Sequence, residues 1–149
     1  MNVFTKIFGS KNKEEIDQTA FIDNIIKHSK DEPLGISEEN IIYAGYNELG
    51  GYYYFQTYII GRLNKKVKTG ATLLIEGEGY TLDLKSDMDE FEAEKADIFN
   101  GFVTRIDFEI EKETVEKIRR STIKKMIVKI EKHELVFMPY NQTKDKKIN

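Results

Sequence analysis

The chain has 149 residues, no cysteine and a formal net charge of −3 at pH 7. That length fits one domain, and the missing thiols exclude a disulfide framework, a thiolate nucleophile and a cysteine-ligated metal centre. Hydrophobic residues make up 40% and charged residues 33% of the chain, so any electrostatic binding must come from local patches rather than from the charge of the whole molecule.

The opening residues 1–13 place Val3, Phe4, Ile7 and Phe8 at helical spacing ahead of Lys11 and Lys13. A flexible terminal segment is the ordinary expectation for such a stretch, with transient membrane contact as the weaker alternative. No apolar run approaches the roughly 18 residues that a spanning helix needs, and no secretory h-region is present. These features, with the lack of cysteine, lead us to expect a cytoplasmic protein.

From about Glu14 to Lys30 the spacing of Phe21, Ile22, Ile25 and Ile26 predicts an amphipathic helix. It should end before Pro33, because the residue preceding a proline is disfavoured in helical geometry. Ser37–Asn40 reads as a turn into a first strand, Ile41–Tyr46, rich in β-branched and aromatic residues. Asn47–Gly51 is the expected turn and Tyr52–Leu63 the second strand. Neither face of that strand is plainly polar, so it must be covered on both sides or must expose tyrosines. Arg62–Gly70 reads as a basic loop or strand extension, and Ala71–Glu76 with Tyr80–Leu84 as a hairpin around Gly77-Glu78-Gly79.

Ser86 followed by Asp87, Asp89 and Glu90 resembles a capped helix start, which predicts a helix over Ser86–Asn100, with a long acidic loop as the alternative. The clearest pattern follows. Phe102, Thr104, Ile106, Phe108 and Ile110 alternate with Val103, Arg105, Asp107 and Glu109, a strand with one face in the core. Val115 and Ile118 pin a short helix over Lys112–Arg120. Ile123–Glu131 is a strand with Met126, Val128 and Ile130 inward; a tight turn then leads to a last strand with Leu135 and Phe137 inward, ended by Pro139. The polar tail 141–149 reads as disordered. The expected fold is thus one α+β domain over residues 14–140, built on a mostly antiparallel, strongly curved sheet of about seven strands, sandwich- or barrel-like. It carries an N-terminal helix and one or two short helices.

Three constellations bear on function. Glu76–Asp97 holds nine carboxylates and two lysines, but a calcium-loop template fails because Glu92 stands where glycine is needed; a solvated acidic face is the plainer reading. Lys117–Lys132 holds seven basic residues against Glu131. Arg119, Arg120, Lys124 and Lys125 form a candidate phosphate-binding patch, although outward lysines also guard strands against edge pairing. Six of the eight tyrosines fall between Tyr43 and Tyr58. Tyrosine joins broad apolar area to a hydroxyl, a combination that suits interfaces and small-ligand pockets.

No catalytic, metal-binding or nucleotide-binding fingerprint occurs, and His28, at the rim of the first helix stripe, and His133, in an expected hairpin turn, read as surface residues. No catalytic residue, metal or cofactor is therefore assigned. The expected function is a non-catalytic protein-binding or assembly domain that uses a tyrosine-rich sheet surface, with Tyr43, Tyr46, Tyr52, Tyr54 and Tyr58 as the binding residues. The partner is another protein or a second copy of the chain, in preference to nucleic acid. The alternative is a small-ligand-binding barrel with an aromatic-lined cavity.

Overall fold

The alternating apolar segments all become strands, and hairpins join most neighbours, so every strand pair is antiparallel. The computed structural model describes residues 19–120 and 122–140. The expected flexible segment 1–13, the first turns of the N-terminal helix and the expected tail 141–149 lie outside the described residues.

Helix α1 is described over 19–27. Strands follow at Gly35–Ile36 (β1), Asn40–Leu49 (β2), Tyr52–Gly61 (β3), Lys66–Val67 (β4), Ala71–Gly77 (β5) and Tyr80–Lys85 (β6). Next come Phe91–Glu92 (β7), Glu94–Ala96 (β8), a 3-10 turn at Asp97–Phe99 and Gly101–Ile110 (β9). Helix α2, Lys112–Arg120, leads into β10, Ile123–Ile130, and β11, His133–Pro139. Nine strands form one sheet in the order β6-β5-β10-β11-β1-β2-β3-β9-β8, while β4 and β7 pair separately. The nine-stranded sheet exceeds the expected seven, because sequence alternation does not reveal strands of two or three residues.

The sheet curls into a half-barrel. Its concave side holds Ile42, Phe55, Ile59, Leu73, Ile75, Phe108, Met126, Val128 and Phe137, none more than 2% exposed. Burying each such side chain contributes about 1.5–3 kcal/mol. The inward residues of β9 and β10 are those their alternation predicts: Thr104, Ile106, Phe108 and Ile110, then Met126, Val128 and Ile130. Helix α2 packs against this core through Val115 and Ile118, which lie three apart on one helix face. Its first turn carries Glu113, placed to complement the helix dipole.

Helix α1 packs instead on the convex side. Ile22 and Ile25 are buried with Ile41 and Tyr43, and Phe21 and Ile26 pack beside them against Ile36, Ile60 and Phe99. Arg62 lays its guanidinium 3.8 Å from the centre of the Phe21 ring, holding the helix from the far side.

Two expectations are corrected. Ser86–Asn100 is not a helix. Its short strands pair instead, Phe91 with the distant Val67 of β4 and Glu94 with Val103 of the next strand, β9. Ser86 accepts a hydrogen bond from the Ala71 amide and donates one to the Met88 carbonyl, at 2.9 Å each, so it ties a loop rather than capping a helix. The second correction is the β2–β3 turn. Strand β2 runs on to Leu49, and only Gly50 and Gly51 turn, both at positive φ (60° and 86°). Two residues of that conformation match the twist of a tight hairpin, and glycine adopts it without a Cβ clash.

Candidate functional site

The β2–β3 register decides which tyrosines can act together. On the convex face Ile41 lies opposite Ile60, Tyr43 opposite Tyr58, Gly45 opposite Gln56, Asn47 opposite Tyr54 and Leu49 opposite Tyr52. Helix α1 covers Ile41 and Tyr43 but leaves the rows towards the hairpin tip open. Leu49 and Tyr52 are 69% and 71% exposed, Tyr58 is 38% exposed, and Tyr54 is half-buried between them. Strand β9 continues the same face with Arg105 opposite Tyr58, Asp107 opposite Gln56 and Glu109 opposite Tyr54. Arg105 forks onto Asp107, its Nε and Nη2 donating to the two carboxylate oxygens at 3.3 and 3.1 Å. That fork holds its guanidinium 5.9 Å from the centre of the Tyr58 ring.

The expected set Tyr43, Tyr46, Tyr52, Tyr54 and Tyr58 therefore divides three ways. Tyr52, Tyr54 and Tyr58 share an open face. Tyr43 lies on that face beneath α1, where its hydroxyl donates to Ser29 Oγ at 2.6 Å; burial raises its pKa. Tyr46 points to the concave side, its ring 5.2 Å from that of Phe55 and 5.1 Å from the Arg119 guanidinium. Burial pushes the Tyr46 pKa up to about 12, with Arg119 pulling in the opposite direction.

Beside the open tyrosines lies a groove of about 780 Å³. It forms because, among the described residues, β6 and β9 are joined through backbone only just beyond the end of β6. Ser86, just beyond β6, bridges to Phe108 of β9, and the Asp87 amide donates to the Asp107 carbonyl at 2.8 Å. Away from that contact β6 and the end of β9 part. Residues 82–85 of β6 form one wall, Gly51–Tyr54 another, and residues 109–114, the end of β9 with the start of α2, the third. Partial removal from water, followed by the nearby carboxylates of Asp87 and Glu109, raises the pKa of Tyr54.

The basic residues are partly neutralised where they stand. Arg119 lies 3.8 Å from Glu116, and Lys125 lies 3.6 Å from Glu76 across the β5–β10 pair. Lys124 is exposed, and the Arg120 side chain is outside the described residues. A second surface groove of about 430 Å³, between residues 69–72 and Lys129, mixes Lys85 and Lys129 with Asp89 and Glu131. Among the described residues no group of three or more histidine, aspartate or glutamate side chains is placed to hold a metal ion. Nor is any helix among them long and apolar enough to cross a membrane.

Sequence reasoning missed Leu49 and the groove. The only signal for Leu49 was the Gly50-Gly51 pair. Read as a two-residue turn, it places Leu49 opposite Tyr52. The groove had no local signal, because its walls are brought together by the curl of the sheet.

No protein-family model, no curated protein and no solved structure matches this chain.

Proposed function

We propose that this is a non-catalytic domain that binds protein through the convex face of the β2–β3 hairpin, in a cytoplasmic setting. The supporting observation is the Leu49–Tyr52 pair. Two large apolar side chains stand directly opposite each other at the hairpin tip, 69% and 71% exposed, with Tyr54 and Tyr58 continuing the strip. Burying either side chain against a partner would contribute about 1.5–3 kcal/mol, and tyrosines often dominate binding energy.

The alternative, a small-ligand barrel with an aromatic-lined cavity, has the filled half-barrel against it. In its favour stands only the tyrosine-walled surface groove.

Site-directed photocrosslinking in cells tests the proposal. A benzophenone side chain at position 49 or 58 should give one discrete adduct that disappears when Tyr52→Ser is added. The reading fails if position 49 gives no adduct, or only the adducts obtained from Glu134 on β11.

A further inference from the structure

The groove between β6 and the end of β9 combines three properties. The first is a free strand edge. Strand β6 pairs with β5 on one side, and among the described residues its other edge has no ladder partner between Tyr80 and Lys85; the backbone bridge to β9 begins at Ser86. In an antiparallel ladder alternate residues direct their N–H and C=O groups to each edge. The β6 edge therefore offers donors and acceptors to a further strand.

The second property is a negative balance of charge. Asp83, Glu109, Glu111 and Glu113 line the groove against Lys85 and Lys112. None of the four carboxylates forms a salt bridge among the described residues. Glu111 and Glu113 also complement the N-terminus of α2. Asp83 and Glu109 have no such role, since one sits on β6 and the other on β9. The third property is aromatic. Gly51–Tyr54 contributes three consecutive tyrosines to the wall, and tyrosine faces attract ammonium and guanidinium groups.

We infer that this groove takes an extended, basic peptide segment of a partner protein, added as a strand to β6. The four wall residues of β6 span about 13 Å, which accommodates about four residues of extended chain; in strand addition the main-chain hydrogen bonds supply affinity and the alternate side chains specificity. Lysine or arginine side chains of the segment would reach Asp83 and Glu109 on the face shared with Tyr52 and Tyr54, while alternate residues would lie on the side of Tyr53. The free edge favours a peptide over a free polyamine, which cannot pair with backbone. This inference rests on the protein-binding reading of the neighbouring hairpin face and specifies its partner.

Fluorescence anisotropy with the full chain tests it. The probes are three fluorescein-labelled heptapeptides: one alternating lysine with threonine, one alternating glutamate with threonine, and the lysine peptide N-methylated at alternate amides. Unlabelled spermine serves as competitor. The lysine peptide should bind at least ten times more tightly than the other two, and Asp83→Asn with Glu109→Gln should weaken it by roughly tenfold. Both carboxylates are exposed, so thermal melts should show that the double variant stays folded. Equal binding of the lysine and glutamate peptides overturns the inference, as does indifference to N-methylation or full displacement by spermine at equal charge concentration. If the peptides fail while position 49 still crosslinks through Tyr52, the groove inference falls and the hairpin reading stands.

Discussion

Tyr43 and Tyr58 face each other across β2 and β3, yet only Tyr43 is covered, its hydroxyl held by Ser29 at 2.6 Å beneath α1. The boundary of α1 thus separates structural from available tyrosine on a single sheet face. Tyr43→Phe should cost about 1 kcal/mol of unfolding free energy through the lost hydrogen bond. Tyr58→Phe should stay within about 0.5 kcal/mol of the parent, as exposed substitutions do. Urea titrations of both variants check the contrast.

Two buried threonines make opposite predictions. Thr57 Oγ1 donates to the Ile106 carbonyl at 2.7 Å, so Thr57→Val should destabilise by about 1 kcal/mol. Thr104 Oγ1 is buried with no hydrogen-bond partner among the described residues. Thr104→Val removes an unpaired hydroxyl at nearly constant shape and should be neutral or stabilise by up to about 1 kcal/mol. Thermal melts of the pair, read against the parent, give the sign.

Tyr46 predicts a limit on the alkaline side. Its folded pKa of about 12 lies above the ordinary tyrosine value of 10.0, chiefly through burial. The folded state therefore keeps a proton that the unfolded chain releases first. The resulting stability is fully present below about pH 10 and is lost as the pH rises towards about 12. The urea midpoint should fall over that window, and Tyr46→Phe should flatten the fall. An unchanged slope in Tyr46→Phe would assign the loss to other groups.

At the β5–β6 turn the Tyr80 ring lies directly over Gly77, so a Cβ there would meet the ring. Tyr80 also receives Lys117 of α2, with Nζ 5.6 Å from the ring centre. Gly77→Ala should displace the ring and cost about 1–3 kcal/mol, the usual range for overpacking. Differential scanning calorimetry would detect it, and Gly77→Ala combined with Tyr80→Ser should recover part of the loss.

How much of this was legible depended on how far a residue's partner lies from it. The alternation of β9 names its inward side chains without reference to any other strand, and Val115 with Ile118 marks α2 in the same local way. The hairpin of β5 and β6 is equally local. Ser86–Asn100 misleads because Met88, Phe91, Ile98 and Phe99 happen to fall at helical spacing. In the folded chain Met88 and Ile98 are exposed, at 56% and 63%, and the local geometry is set by Val67 and Val103. For the candidate site, the abundance of tyrosine was visible but its division was not. Tyr46 parts from Tyr52 and Tyr58 by strand parity, which can be counted. The covering of Tyr43 depends on where α1 docks, and the groove depends on the curl of the whole sheet.

Strand β1 is only two residues long, yet among the described residues it is the sole ladder between β11 and β2, through Gly35 with Pro139 and Ile36 with Met138 on one side and Ile42 and Ile41 on the other. The sheet is therefore two four-stranded plates hinged along Gly35–Ile36 and latched on the far side by Ser86 and Phe108. Both plates feed one buried core, Leu73, Ile75, Met126 and Val128 from one and Ile42, Phe55, Ile59 and Phe108 from the other, so it is shared side-chain packing, more than backbone pairing, that sets the width of the seam between them.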